Sequence, residues 1–255
     1  MVTEKIRYVY GEPGPFEFIF EAGDLVFDVG ACIGQMTAWY VHRGARVIAV
    51  EPEAGDVADL RKRFEGHPSV TIVYKAVGEA AGEGKLHVHA GARAISTFVP
   101  DLWWGRESAF RGTNTTYTET VQMTTLDALI EEYGRPQFIK LDIEGYELYA
   151  LRGLTQPVPF IQFEVCASTF KSGDVRRCFE HILDLAPHVT FNYMLCEGPG
   201  FMIGPDRYRH WTSADEVLEA IRGEVGKWPH FWGNGLANMT ADCGRSDEKA
   251  HTRVS

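Results

Sequence analysis

The stretch from Leu25 to Pro52 constrains this chain more than any other. A short apolar run, Leu25-Val26-Phe27, ends in Asp28, and Gly30 and Gly34 follow on a tight turn. Gln35 to His42 reads as a helix, and a second apolar run, Val47 to Val50, ends in Glu51. Strand, glycine turn, helix, strand and acid make the first half of a nucleotide-binding α/β sheet. Gly30 lets the backbone come close to a ligand where a Cβ would collide. The start of the helix offers free N–H groups to a carboxylate or phosphate. Glu51, at the carboxyl end of its strand, can accept hydrogen bonds from both hydroxyls of a ribose. Read as an exposed strand end, Glu51 should matter for ligand binding and little for stability.

The glycine spacing narrows the nucleotide. A dinucleotide site prefers G-x-G-x-x-G. Here the pattern is Asp28-x-Gly30-x-x-x-Gly34, with Ala31 and Cys32 in between. An acid before the first glycine fits S-adenosylmethionine (SAM), whose amino-acid end stands where a pyrophosphate would be. The alternative is that the two glycines only shape a turn in some other α/β protein.

Length and charge exclude several classes. The 255 residues fit one domain, assigned here to 1–243, with an N-terminal segment 1–24 and a polar tail 244–255. A formal net charge of -10 argues against a nucleic acid or anionic membrane as partner. The one basic cluster, Arg61-Lys62-Arg63, reads as a solvated helix face. Cys32, Cys166, Cys178, Cys196 and Cys243 show no C-x-x-C spacing and read as reduced thiols. Without an apolar leader or a run of membrane-spanning length, the chain reads as cytoplasmic.

Along the chain, Tyr8, Tyr10, Phe16, Phe18 and Phe20 alternate like an edge strand or hairpin covering the core. A helix is expected from about Gly55 to Glu65, and a third strand from Val70 to Val77. That strand would bring Ala76 to the same sheet edge as Gly30 and Glu51, beside an adenine. Lys85 to Ala90 alternates like a strand, with His87 and His89 on one solvated face. Residues 91–117 read as an irregular binding loop or lid. In it, Ser96, Thr97, Trp103 and Trp104 either line a substrate mouth or pack beneath the loop. Thr118 to Met123 reads as a strand, and Thr125 caps a helix from Leu126 to Tyr133. Gln137 to Leu141 is a buried strand, followed by a helix, Tyr146 to Leu154, and a strand, Phe160 to Phe163. Asp174 to Ala186 is an amphipathic helix. His188 to Leu195 and about Gly200 to Ile203 read as an antiparallel pair, and Ser213 caps a helix from Ala214 to Arg222. Residues 227–243 read as aromatic and glycine-rich, with no element assigned.

Asp142, Glu144 and Glu164 each follow an apolar run, so they should emerge at the ligand edge. Carboxylates gathered there can neutralise the amino group of SAM, take a proton from a substrate hydroxyl or bind a divalent cation. For Glu144, capping of the next helix is an equal alternative.

With these motifs in order, the chain resembles the FkbM-type SAM-dependent methyltransferases. The resemblance is carried by VFDVGACIGQMT, VIAVEP, TTLDAL and IKLDIEGYE, spread from Phe27 to Glu164. It implies a class I methyltransferase, Rossmann-like α/β fold with a seven-stranded, mostly parallel sheet and helices on both faces. It also implies SAM as donor and an oxygen of a sugar, polyketide or similar metabolite as acceptor. Cys32 stands where the family more often carries asparagine.

The reading is therefore a methyltransferase in which Asp28, Gly30, Gly34, Glu51 and Ala76 hold SAM. Asp142 is the first choice of base and Glu144 the second, with no metal required. A magnesium ion shared by Asp142 and Glu164 is the disfavoured variant. The rivals are a non-catalytic SAM-binding protein and an NAD-dependent oxidoreductase, the latter lacking a Tyr-x-x-x-Lys pair. The acceptor and the oligomeric state are not readable.

Overall fold

Leu25–Val29 forms strand β1 with every side chain buried, Asp28 included. An all-buried run is what a strand inside a parallel sheet requires, because helices cover both its faces. The structure, a computed structural model, describes residues 20–105, 108, 110–197, 201–203, 211–227 and 232–241. The alternating aromatics before Phe20 and the polar tail lie outside them.

After β1 come α1 (Gln35–His42), β2 (Arg46–Val50), α2 (Ala54–Arg63), β3 (Val70–Val73), β4 (Ala76–Val77) and β5 (Gly82–Val88). Then follow α3 (Pro100–Trp103), β6 (Tyr117–Thr124), α4 (Leu126–Tyr133), β7 (Phe138–Leu141), α5 (Glu147–Arg152) and β8 (Phe160–Cys166). The last are α6 (Ala167–Ser172), α7 (Asp174–Leu185), β9 (Thr190–Glu197), β10 (Phe201–Ile203), α8 (Ala214–Lys227) and β11 (Trp232–Asn238).

Seven strands lie in the order β3-β2-β1-β7-β8-β11-β9, and β10 extends the β9 edge as a short antiparallel eighth. The first five run parallel, and β11 runs against both its neighbours. A mostly parallel seven-stranded α/β sheet is what the resemblance implied. One face packs on α4, α5, α7 and α8 through the main core. The other packs on α1 and α2, where Trp39, Tyr40 and Phe20 meet Phe138, and Leu60 and Phe64 meet Ala49. Local chemistry sets the helix starts as expected. The Thr125 side chain accepts from the N–H of Ala128 at 3.1 Å. Ser213 Oγ accepts from the N–H of Glu216 at 3.3 Å, and Glu216 Oε2 accepts from the N–H of Ser213 at 3.4 Å, a reciprocal cap.

Several boundaries differ from the sequence expectation. Val70–Val77 is not one strand. The chain leaves the large sheet at Tyr74, which is exposed, and Ala76 joins β4, opposite Met123 of β6. β4, β6 and β5 form a separate three-stranded sheet around Ala76, Leu86, Val88 and Val121. The Ala76 methyl group is committed to that cluster. β8 continues through Glu164 to Cys166, so Glu164 sits within a strand and not past its end. β11 was not expected because Gly233 and Gly235 weaken a strand signal. Pairing on both sides, over all seven residues, makes it a strand regardless. A Cβ at Gly235 would lie 2.7 Å from the ring of Phe163, so the glycine makes room for a core aromatic. Among the described residues, no helix is long and apolar enough to cross a membrane.

Candidate active site

The turn after β1 is built by backbone bonds. The N–H groups of Gly30 and Ala31 donate to Val50 O at 2.9 and 3.1 Å, and Gly34 donates to Ala31 O at 2.8 Å. Gly30 adopts φ 77, and a Cβ there would lie 1.8 Å from the carbonyl oxygen of Asp142. What comes close to Gly30 is therefore the protein's own chain, where a close approach by ligand was expected. Gly34, at φ 80, lets Leu60 and Phe64 pack on the turn. Gly30→Ala is expected to destabilise the fold by about 3 kcal/mol or more, because neither partner in the clash is a movable side chain. Urea denaturation checks this, and a loss below about 1 kcal/mol would contradict it.

Glu51 is buried, only 6% exposed, which corrects the exposed strand end. Its Oε2 accepts from the N–H of Cys32 at 2.8 Å and its Oε1 from the N–H of Glu53 at 2.9 Å. A carboxylate has about four lone-pair sites, so two remain for a ligand's hydroxyls. Burial pushes the Glu51 carboxyl up to about 7, against the pull of the two N–H groups. Cys32 has φ 49, a left-handed backbone in which asparagine is favoured, which gives a local reason for the family's usual residue. Its thiol reaches Asp56 Oδ2 at 3.7 Å and is pushed up to about 12, first by burial and then by Asp56 and Glu51. That thiol is no nucleophile.

Three groups at this mouth were not anticipated. Glu53 caps α2, its Oε2 accepting from the N–H of Asp56 at 2.6 Å. Arg93 reaches over from the loop to Asp56 at 2.9 Å, Asp59 at 2.7 Å and Glu53 at 3.6 Å. Tyr117 donates to Glu53 at 3.2 Å. A lone arginine in a long loop carries no sequence signal of such a role.

Asp28 does not face the ligand edge as a free acid. It is fully buried and accepts from the hydroxyl of Thr37 at 2.5 Å. In strand register it stands opposite Lys140. Lys140 Nζ lies 3.5 Å from Asp28 and 3.1 Å from Asp142, and its charged form is favoured by both despite burial. The visible signal was a charge inside each of two apolar runs, LVFDV and FIKL.

Past β7 the chain turns through Asp142 and Glu144, the latter at φ 59. The helix-capping role weighed for Glu144 is not seen, because Tyr146 holds the N-cap position of α5, with no side-chain cap. Glu147 instead braces the turn, its Oε1 accepting from the N–H groups of Ile143 at 3.0 Å and Gly145 at 3.4 Å. Burial raises Glu147 to about 7, with those N–H bonds opposing. Asp142, Glu144 and Glu164 are half-buried and bring one oxygen each to within 4.8 Å of one another. At that separation, and an effective dielectric of about 20, each ionised pair repels by about 3.5 kcal/mol. Holding one proton on a carboxyl at pH 7 costs a similar amount, about 3.5 kcal/mol. Repulsion of that size raises the proton affinity of Glu144 and Glu164. Accordingly Glu144 and Glu164 are both pushed well above the usual carboxylate range, by burial and then by their acidic neighbours. Such a trio can take up a proton or attract a cation. Lys140 already supplies positive charge at Asp142.

Of the residues expected to serve one site, the structure brings Asp142, Glu144 and Glu164 together and places Gly30 against the carbonyl of Asp142. Glu51 follows β2, which β1 separates from β7, and Ala76 is drawn into the small sheet. Trp103 and Trp104 are buried beneath the loop with Cys166, Ile95 and Phe110, which decides between the two readings of those tryptophans. His87 and His89 hold the loop at Thr115 and Asn114.

Hexuronic acid methyltransferase AglP of Haloferax volcanii is 27% identical over 169 residues, 63% of this chain and 64% of that protein. The chain thus spans slightly less than two thirds of that relative's length. Among solved structures, the likeness to precorrin-6y C5,15-methyltransferase of Geobacter metallireducens has a TM-score of 0.44 at 9% identity, over 88% of this chain and 83% of that one. The likeness to the O-methyltransferase of Bacillus cereus in complex with SAH has a TM-score of 0.42 at 14% identity, over 88% and 78%. The family comparison goes further: residues 28–193 match the methyltransferase FkbM domain, and over that span, well more than half of its length, the chain belongs to the FkbM methyltransferase family.

Proposed function

We propose that the protein transfers the methyl group of SAM to a hydroxyl oxygen of a small polyhydroxylated metabolite. The observation that carries this reading is the carboxyl trio, Glu144 and Glu164 in it with raised proton affinity, set across β1 from the acid suited to a ribose. SAM arrives activated, so the protein's task is to hold the acceptor oxygen in line and remove its proton. Glu51 takes the ribose hydroxyls, Gly30 and Gly34 shape the turn beside the methionine end, and Asp28 braces Lys140. Only the backbone of Ala76 remains for the adenine. Glu144, pushed up in proton affinity, serves as base. Asp142, tied on one oxygen to Lys140, orients the acceptor or the SAM ammonium. The relative's printed substrate, a hexuronic acid, supports a sugar as acceptor. The surplus of acids favours a sugar hydroxyl over a sugar carboxylate, which would be repelled. No step requires a metal ion.

Labelled SAM offered with neutral and acidic pyranosides tests the reading. Labelled O-methyl sugar is expected. SAM binding without transfer to any hydroxylated acceptor would favour a non-catalytic SAM-binding protein, and binding of NAD in place of SAM would favour an oxidoreductase.

Glu51 supplies a pH test. Its folded pKa is raised, so its contribution to stability is full below about pH 4.5 and is lost as pH rises through about 7. Ribose hydroxyls need the ionised form, so binding releases a proton below pH 7. Affinity for S-adenosylhomocysteine should fall up to about tenfold per pH unit below 7, and Glu51→Gln should flatten that slope. Glu51→Ala should weaken SAM binding by about 2–4 kcal/mol and cost about 1–3 kcal/mol of stability, since two buried N–H groups lose their acceptor. Calorimetry in the wild type and both variants reads these outcomes.

A further inference from the structure

Glu144 holds a left-handed backbone that a side-chain-bearing residue adopts only when its surroundings impose it. The surroundings are the loop. The hydroxyl of Thr97, a fully buried residue, donates to the carbonyl oxygen of Glu144 at 2.7 Å. That hydroxyl also accepts from the N–H of Val99 at 3.0 Å, so its direction is set. Thr97 is itself fastened to β5, exchanging backbone bonds with His87 at 2.9 and 3.0 Å. Trp103 closes the other side. A Cβ at Gly145 would lie 2.9 Å from its ring, so the turn packs closely on Trp103 at a position only glycine fits. The buried indole N–H makes no hydrogen bond of regular geometry, yet it favours the charged form of Glu144.

The same segment is anchored at the cofactor mouth. Four residues before Thr97, Arg93 bridges Glu53, Asp56 and Asp59 at the start of α2. A Cβ at Gly55 would lie 2.2 Å from the Arg93 guanidinium, so α2 is shaped to receive it. Glu53 in turn donates its N–H to Glu51.

Building on the methyl-transfer reading, we propose that residues 93–103 are a positioning strap: Thr97 sets the placement of Glu144, and Arg93 ties that placement to the acids beside Glu51. Neither residue is assigned contact with the reacting atoms. The strap makes one rigid unit of the cofactor mouth and the acceptor acid, which lie on different strands.

Thr97→Val keeps the shape and removes the hydroxyl, while Thr97→Ser keeps the hydroxyl. In single turnovers at saturating SAM, Thr97→Val should transfer methyl about 10- to 100-fold more slowly, with SAM affinity within about twofold. Thr97→Ser should recover the rate to within about threefold of wild type. Arg93→Gln should lower both SAM affinity and transfer rate, because it loosens both ends. A normal transfer rate in Thr97→Val, or a serine variant as slow as the valine one, overturns the proposal.

A second readout stands without any acceptor. Glu144 is faced by Lys140 from β7, Asp142 just past it, Glu147 from α5, Glu164 from β8 and the Trp103 indole. Its ionisation should therefore change tryptophan fluorescence, isolated as the part of the pH titration that Glu144→Gln abolishes. That midpoint should move by about half a pH unit or more in Thr97→Val and return in Thr97→Ser. An unchanged midpoint in Thr97→Val, or no fluorescence change to isolate, overturns the strap. A shifted midpoint in an enzyme that methylates nothing supports the strap and sinks the methyl-transfer reading alone.

Discussion

Lys140→Met is expected to destabilise the fold by about 3–5 kcal/mol, the usual cost of leaving a buried charge without its partner. Asp28 is fully buried, and its neutralising cation is the Lys140 ammonium. Methionine fills much of the lysine's volume, so cavity formation adds little. Burial already raises Asp28, with Lys140 as the leading opposing influence. Without the lysine, Asp28 retains its proton further into the neutral range. The penalty should therefore be smaller near pH 5 than near pH 8, because protonation relieves the unpaired charge. The double variant Asp28→Asn/Lys140→Met should recover most of the loss, since removing both partners of a buried pair is often close to neutral. Urea denaturation of the wild type and the two variants at the two pH values decides the matter. A loss under about 1 kcal/mol in the single variant, or no recovery in the double, removes the pair from its structural role.

Glu144→Gln is expected to slow methyl transfer by about 10²–10⁴ in single turnovers at saturating SAM, with SAM affinity within a few-fold. A hydroxyl loses its proton only as the methyl group arrives, so a base acts in the transition state and little in ground-state binding. Glutamine keeps the length and tolerates the left-handed backbone as well as glutamate does. Asp142→Asn is the control. One Asp142 oxygen is held by Lys140 at 3.1 Å, and its replacement should act mainly on the binding of SAM or the acceptor. Saturating SAM should then restore much of its rate. If Asp142→Asn shows the transition-state defect while Glu144→Gln transfers normally, the two roles exchange. That result would restore the order read from sequence, in which Asp142 came first.

That order was a reasonable reading of strand ends, and it shows where such reading stops. Both acids follow the apolar run FIKL, so their delivery to the ligand edge was legible. Which acid is free was not. Lys140 claims one oxygen of Asp142, and Glu147 takes the N–H groups of Ile143 and Gly145 on either side of Glu144. Both facts depend on side-chain direction at a tight turn, which apolar periodicity does not encode.

The sequence by itself determined the order of strand, glycine turn, helix and acid from β1 to Glu51, the bounds of α4, and the caps at Thr125 and Ser213. Each rests on residues within a few positions of one another, where sterics and local hydrogen bonds act directly. It also determined the α/β class, because short buried runs alternating with helical periods leave few other packings. Only the tertiary structure decided the rest. Asp28 meets Lys140 because β1 and β7 become neighbours, a pairing between distant segments that no local pattern specifies. Ala76 leaves for the small sheet because Met123 offers a partner there. β11 forms, despite its glycines, because β8 and β9 satisfy its backbone on both sides. Arg93 acquires its place from three acids on α2. In each case the deciding energy comes from bonds or burial between parts of the chain that meet only after folding.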